Sequence, residues 1–172
     1  MERRHPHVIN ADEVAPVEGP SKGAYGSSVR MLGRAAGAKQ LGCSLYEVAP
    51  GKAAFPFHWH MLKEEAIIVL SGTGTLRLGD AQVQVRAGDY VALPVGASCA
   101  HQLRNTGSEP LRYYALSTMG DAEVAVYPDS RKLGVLSMME GSQMRVLFHD
   151  EDGKQSQEAY FAREPLAEEE PR

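Results

Sequence analysis

Two histidines and a pair of carboxylates crowd into the stretch HWHMLKEEAIIVLSG, residues 58–72. His58 and His60 are two residues apart, so on an extended strand both imidazoles leave the same face. An apolar run, AIIVL at residues 66–70, follows, headed by Glu64 and Glu65 and closed by a turn over residues 71–74. If a short loop over residues 61–64 folds this run back beside the first strand, Glu65 meets both imidazoles. Neutral ring nitrogens and an ionised oxygen converging on one point suit a divalent transition ion. A second His-x-His, HPH at residues 5–7, has no carboxylate partner and a rigid proline at its centre. It reads as a terminal feature without function.

The elements that must hold this chemistry are short. From Ser28 the chain runs through VRMLGRA, QLGCSLYEVAPG, the histidine stretch, TLRLGD, AQVQVRAGD, YVALPVG, SCAHQLRNTG and LRYYALSTM. These segments are rich in Val, Ile, Leu and Tyr and are broken by Gly, Asp and Pro, which is the pattern of a sandwich or barrel. TLRLGDAQVQV reads as a hairpin turning at Gly79 and Asp80. Within it Val83 and Val85 define a buried face against Gln82, Gln84 and Arg86. AEVAVYPDS, KLGVLSMME and MRVLFHD are expected to add edge strands or a short helix, and EAYFAREPLAEEEPR a helical turn before a solvated acidic end. The expected division is an N-terminal arm at 1–27, a β-barrel domain at 28–150 and a C-terminal tail at 151–172.

Composition narrows the function classes. The chain has 172 residues, 43% hydrophobic and 23% charged, with a net charge of −4. That suits one domain with terminal extensions. Its overall sign offers no general attraction to phosphate backbones or anionic lipid, so nucleic acid and membrane are not expected partners. The first residues lack the apolar core of a signal peptide, which points to the cytoplasm. Two cysteines, Cys43 and Cys99, are too few for a secreted disulfide framework.

The stretch from Gly51 through HWH and Glu65 to Gly72 resembles the first conserved motif of the cupins. GDYVALPVGASCAHQLRN, residues 88–105, resembles the second, in the right order and with a hairpin between the two. HQLRNTGSEPLRYYALST and YPDS are also similar to a group of small single-domain bacterial cupins, some labelled sugar-phosphate-isomerase-like. The resemblance implies an all-β double-stranded β-helix, or jelly roll, with an N-terminal arm and a short C-terminal extension. It further implies one divalent transition metal (Fe, Mn, Ni or Zn) held by His58, His60, Glu65 and His101. Gly72, Gly88, Pro94, Gly96 and Asn105 take structural roles at turns. The spacing from Glu65 to Gly72 makes Glu65 the ligand and leaves Glu64 solvated or behind the ligands.

Strand parity extends the picture into the cavity. With His101 inward, Cys99, Leu103 and Asn105 share its side. Ile67 and Val69 share the side of Glu65 and give an apolar floor, while Trp59 faces away. Beyond the ligands, the candidate acids and bases are Glu64, Tyr46, Tyr90, Tyr113 and Tyr114. Tyr113 and Tyr114 are adjacent, so no more than one of them faces inward. The expected function is a metal-dependent enzyme acting on a small oxygen-bearing molecule, by isomerisation of a sugar-like carbonyl or by dioxygenation. The alternative is a small-molecule binding or sensing protein without turnover. Sheet edges need cover, and the arm is expected to supply it in a homodimer.

Overall fold

The computed structural model describes residues 5–137 and 144–149. Its strands are β1 (Val17–Glu18), β2 (Ser28–Arg30), β3 (Leu41–Val48), β4 (Trp59–His60), β5 (Glu65–Ser71), β6 (Thr73–Leu78) and β7 (Ala81–Arg86). They continue as β8 (Tyr90–Leu93), β9 (His101–Arg104), β10 (Leu111–Thr118), β11 (Ala122–Tyr127), β12 (Lys132–Ser137) and β13 (Met144–His149). One short helix, α1 (Leu32–Ala35), lies between β2 and β3. The strands form a six-stranded sheet in the order β1-β2-β3-β10-β5-β8, a three-stranded sheet β7-β6-β9 and a four-stranded sheet β13-β12-β11-β4. This is the double-stranded β-helix. Among the described residues no helix is long and apolar enough to cross a membrane.

The six- and three-stranded sheets face each other across a common core. Val48, Val69, Leu93 and Leu111 come from the first, and Leu76, Val85 and Leu103 from the second. Each such aliphatic side chain contributes roughly 1.5–3 kcal/mol on burial. The four-stranded sheet continues the second wall: His58, just before β4, exchanges backbone hydrogen bonds with His101, the first residue of β9 (3.1 and 2.7 Å).

The expected hairpin is β6–β7, with Leu78 opposite Ala81 across the two-residue turn and Gly79 at φ +56. Its alternation is only half realised, since Val85 is buried and Val83 is 44% exposed. Val85 lies beside the turn that returns the chain to β5, where the Gly88 N–H donates to Val69 O. Val83 sits further out on a strand with a neighbour on one side only.

The histidine strand and the strand after it are not paired, contrary to the expected fold-back. β4 pairs with β11, whereas β5 lies between β10 and β8. The apolar β5 gains more by taking an inner place in the large sheet, with a strand on either side, and β4 has only two residues to offer a ladder. The loop over residues 61–64 therefore crosses from one wall to the other. The N-terminal segment pairs with its own chain, as β1 on β2 and β2 on β3, and buries Tyr25 against Ala53. AEVAVY, KLGVLS and MRVLFH form the antiparallel meander β11–β13. The residues expected to make a C-terminal helical turn lie outside the described residues.

Candidate metal centre

Crossing between walls is what gathers the chemistry. His58, His60 and His101 stand on one wall and Glu65, the first residue of β5, reaches towards them from the other. One nitrogen or oxygen from each lies within 4.8 Å of the rest, a group able to hold a metal ion. Glu65 Oε2 is 3.3 Å from His60 Nε2 and 3.5 Å from His101 Nε2. The His58 ring centroid is 4.9 Å from that of His60 and 4.5 Å from that of His101.

A ligating imidazole must present a bare nitrogen, and the partner of its other nitrogen decides which one that is. His58 Nδ1 donates to Pro56 O at 2.8 Å, and His101 Nδ1 donates to Cys99 O at 3.0 Å. A carbonyl can only accept, so in both rings Nδ1 carries the hydrogen and Nε2 is bare. The third ring, His60, has Nδ1 facing a carboxylate, 3.4 Å from Glu123 Oε1, a charge contact that favours the hydrogen on that nitrogen. Both His60 nitrogens are buried without a hydrogen bond. An ion at Nε2 would satisfy one of these buried atoms, and this orphaned nitrogen is where the residues fit the implied metal.

Electrostatics prepare the same arrangement. Burial, reinforced by the nearby His101 and His60, pushes the His58 pKa down to about 3, so it stays neutral. Burial would raise the Glu65 carboxyl, but its contacts with His101 and His60 outweigh this and hold it well below the usual range. Burial likewise opposes charge on His60, yet Glu65 and then Glu123 raise its pKa. His58 and Glu65 are thus in the protonation state a cation requires, neutral ring and ionised carboxylate.

The cupin domain pattern matches residues 44–117, which contain all four donors. A solved structure of a candidate sugar phosphate isomerase from Acidithiobacillus ferrooxidans is 33% identical, with a TM-score of 0.64, covering 70% of this chain and 76% of that one. This chain belongs to the cupins. A cupin-superfamily sugar phosphate isomerase from Silicibacter pomeroyi shares the fold at 21% identity, with a TM-score of 0.76, covering 88% of this chain and 98% of that one. Auxin-binding protein 1 of Arabidopsis thaliana is 29% identical over 102 residues, 54% of this chain and 50% of that protein. This cupin therefore spans about half the length of the curated relative it matches.

The cavity of this cupin around the four donors has a volume of about 230 Å³. Tyr46 and Tyr113 line it and stack on each other, ring centroids 5.4 Å apart. Burial, followed by the Glu65 charge, lifts Tyr46 to about 12, and burial lifts Tyr113 well above its ordinary value, so both remain hydroxyl donors. Of the adjacent pair it is Tyr113 that is inward; Tyr114 is only half-buried and lies outside the lining. Two further candidates are displaced. Tyr90 is 64% exposed on outer strand β8, and Glu64 points to solvent beyond the loop while its backbone N–H donates to Thr118 Oγ1. Ile67 forms part of the wall, whereas Val69 belongs to the core beneath. Cys99 lies in a 3-10 turn, Ala97–Cys99, where strand parity fails; its carbonyl, not its thiol, serves the site. Asn105 is fully buried as expected of a turn residue, donating to Val48 O and Glu109 O and accepting from Gly107 N–H.

Residues absent from the expected set also line the cavity. Glu123 is 1% exposed and Tyr127 stacks on His58 at 5.9 Å. The signal was present in AEVAVY: Glu123, Ala125 and Tyr127 alternate with Val124 and Val126. Here the sheet turns its charged and aromatic face, not its valines, to the cavity.

Proposed function

We propose that this cupin is a metal-dependent enzyme that isomerises a small sugar-like carbonyl compound. The observation that carries this reading is a buried carboxylate beside the four donors: Glu123 lines the same cavity, and its Oε2 is buried without a hydrogen bond. His58, His60, Glu65 and His101 would hold one divalent ion of Fe, Mn, Ni or Zn type. Such an ion, when bound, supplies Lewis acidity towards a carbonyl oxygen.

The chain's own groups supply the rest. Isomerisation moves a proton between neighbouring carbons, which needs an acceptor and a donor on hand. Glu123 Oε2 is the acceptor with a free lone pair, and its Oε1 is fixed by the Val124 N–H at 2.9 Å. Tyr46 keeps its proton and offers a hydrogen bond to a substrate oxygen. Phe55, Ile67 and Leu103 exclude water around these groups. The relative from Acidithiobacillus ferrooxidans adds its support to isomerisation; dioxygenation gains none from Glu123.

The test joins metal analysis to turnover. Protein purified without added metal is expected to carry one equivalent and to interconvert aldoses and ketoses; His101→Ala is expected to lose both. Glu123→Gln should lower turnover per bound metal by about a hundredfold or more. Oxygen consumption with diketones, catechols or thiols and no sugar interconversion would sink the reading. Saturable ligand binding with no product in either panel would favour the second reading, a binding cupin without turnover, which the likeness to auxin-binding protein 1 supports.

A further inference from the structure

A second cavity, of about 600 Å³, opens beside the first, and Tyr46, Lys63, Glu65 and Ala115 line both. The two therefore adjoin at the carboxylate of Glu65. The lining of the outer cavity carries Arg34, Lys39 and Lys63, and its one carboxylate is Glu65, already engaged with two imidazoles. None of these three cations has an ion-pair or hydrogen-bond partner for its side chain among the described residues. Elsewhere in the molecule Arg77 pairs with Asp129 at 2.6 Å and Arg112 with Glu47 at 3.4 Å. In a chain of net charge −4, three cations around one opening, unpaired among the described residues, form a local field of the opposite sign. Ser44 and Ser117 add hydroxyls to the same wall.

We propose that this outer cavity is an anion-receiving vestibule, and that the molecule reaching the four donors carries a phosphate or carboxylate group held by Lys63 and Arg34. The substrate class so named rests on the reading of the inner cavity as the reacting site. Position supports the assignment. Lys63 sits in the loop that crosses between the walls, two residues before Glu65, half-buried and shared by both cavities. Arg34 is held by α1, which lies so close to β3 that a Cβ on Gly33 would come within 2.9 Å of Cys43 N. Guanidinium and ammonium groups together are the usual receptors for phosphate and carboxylate oxygens. Arg34 and Lys39 both precede the part of the chain that matches the cupin domain, so this feature is added to the shared barrel by the N-terminal segment.

Calorimetric titration of inorganic phosphate, and separately of acetate, into chelator-stripped protein tests the vestibule without any contribution from a metal. Saturable binding of at least one anion is expected, weakened at least fivefold by Lys63→Gln and by Arg34→Gln, further in the double variant, and partly recovered in Arg34→Lys. Unchanged melting temperatures would show that the variants are folded. Tighter binding of phosphate identifies a phosphate ester as the substrate class, and tighter binding of acetate a carboxylate. Absence of saturable binding by either anion, or binding undiminished in the double variant, would overturn the vestibule. Because the metal is absent throughout, that outcome is distinct from failure of the metal reading, which retention of metal by His101→Ala would reveal.

Discussion

Glu123 is a carboxyl group buried at 1% exposure whose side-chain neighbour is His60, an imidazole of the candidate metal centre. A carboxylate behind a ligating histidine fixes the ring and makes its other nitrogen more basic, and losing it typically costs about 10–100-fold in metal affinity. Glu123→Gln keeps the volume and removes the charge, so metal affinity measured against a chromophoric chelator is expected to fall in that range. An unchanged affinity would remove Glu123 from the centre. The raised pKa of His60 has a second consequence. A metal binds only the neutral ring, so below that pKa each ion must displace a proton, and apparent affinity should drop about tenfold per pH unit as pH falls. His58, lowered to about 3, contributes nothing to this slope above pH 5. Measuring affinity between pH 5 and 8 checks the sign: affinity rising as pH falls would contradict it. His58 and His60 were legible from period-2 alternation and Glu65 from its place at the head of the apolar run, whereas His101 was legible only through the resemblance to the second cupin motif. Glu123 was not, because it reaches the site from a strand far along the chain whose partner cannot be read from either segment.

At the scale of elements, legibility followed the turns. Glycines at 72, 79, 88 and 96 all adopt positive φ, which is why segment ends were readable while segment partners were not. The hairpin β6–β7 was readable because its partners are adjacent in sequence; the pairing of β4 with β11 joins segments far apart. The turn glycines also differ in what surrounds them. Gly72 has φ +81, and a Cβ there would lie 2.7 Å from Pro110 O and 2.9 Å from Leu111 Cα. Gly88 has φ +94 with nothing within 4 Å. Gly72→Ala therefore meets both conformational strain and backbone overlap, and is expected to cost at least about 2 kcal/mol. Gly88→Ala meets strain alone, about 1 kcal/mol. Urea unfolding of the two variants should rank them in that order; equal losses would show that crowding at β5's end is relieved without cost.

Over the whole molecule, an ion held by the four-donor group would be a cross-link between walls. Three donors belong to the wall built from β9 and β4 and the fourth to β5 in the opposite sheet, so an ion held by all four exists only when the two walls are closed on each other. Unfolding separates them and releases it. Free energy of binding is then free energy of folding, about 4 kcal/mol when free metal stands at a thousand times its dissociation constant. For a domain of this size each kcal/mol moves the melting temperature by about 2–4 °C. Chelation is thus expected to lower it by about 10 °C, and readdition of one equivalent to restore most of the loss. His101→Ala separates this linkage from general destabilisation: its melting temperature should no longer respond to chelator. A wild-type melting curve unmoved by chelation would mean that the four groups do not grip an ion from both sides, whatever their spacing.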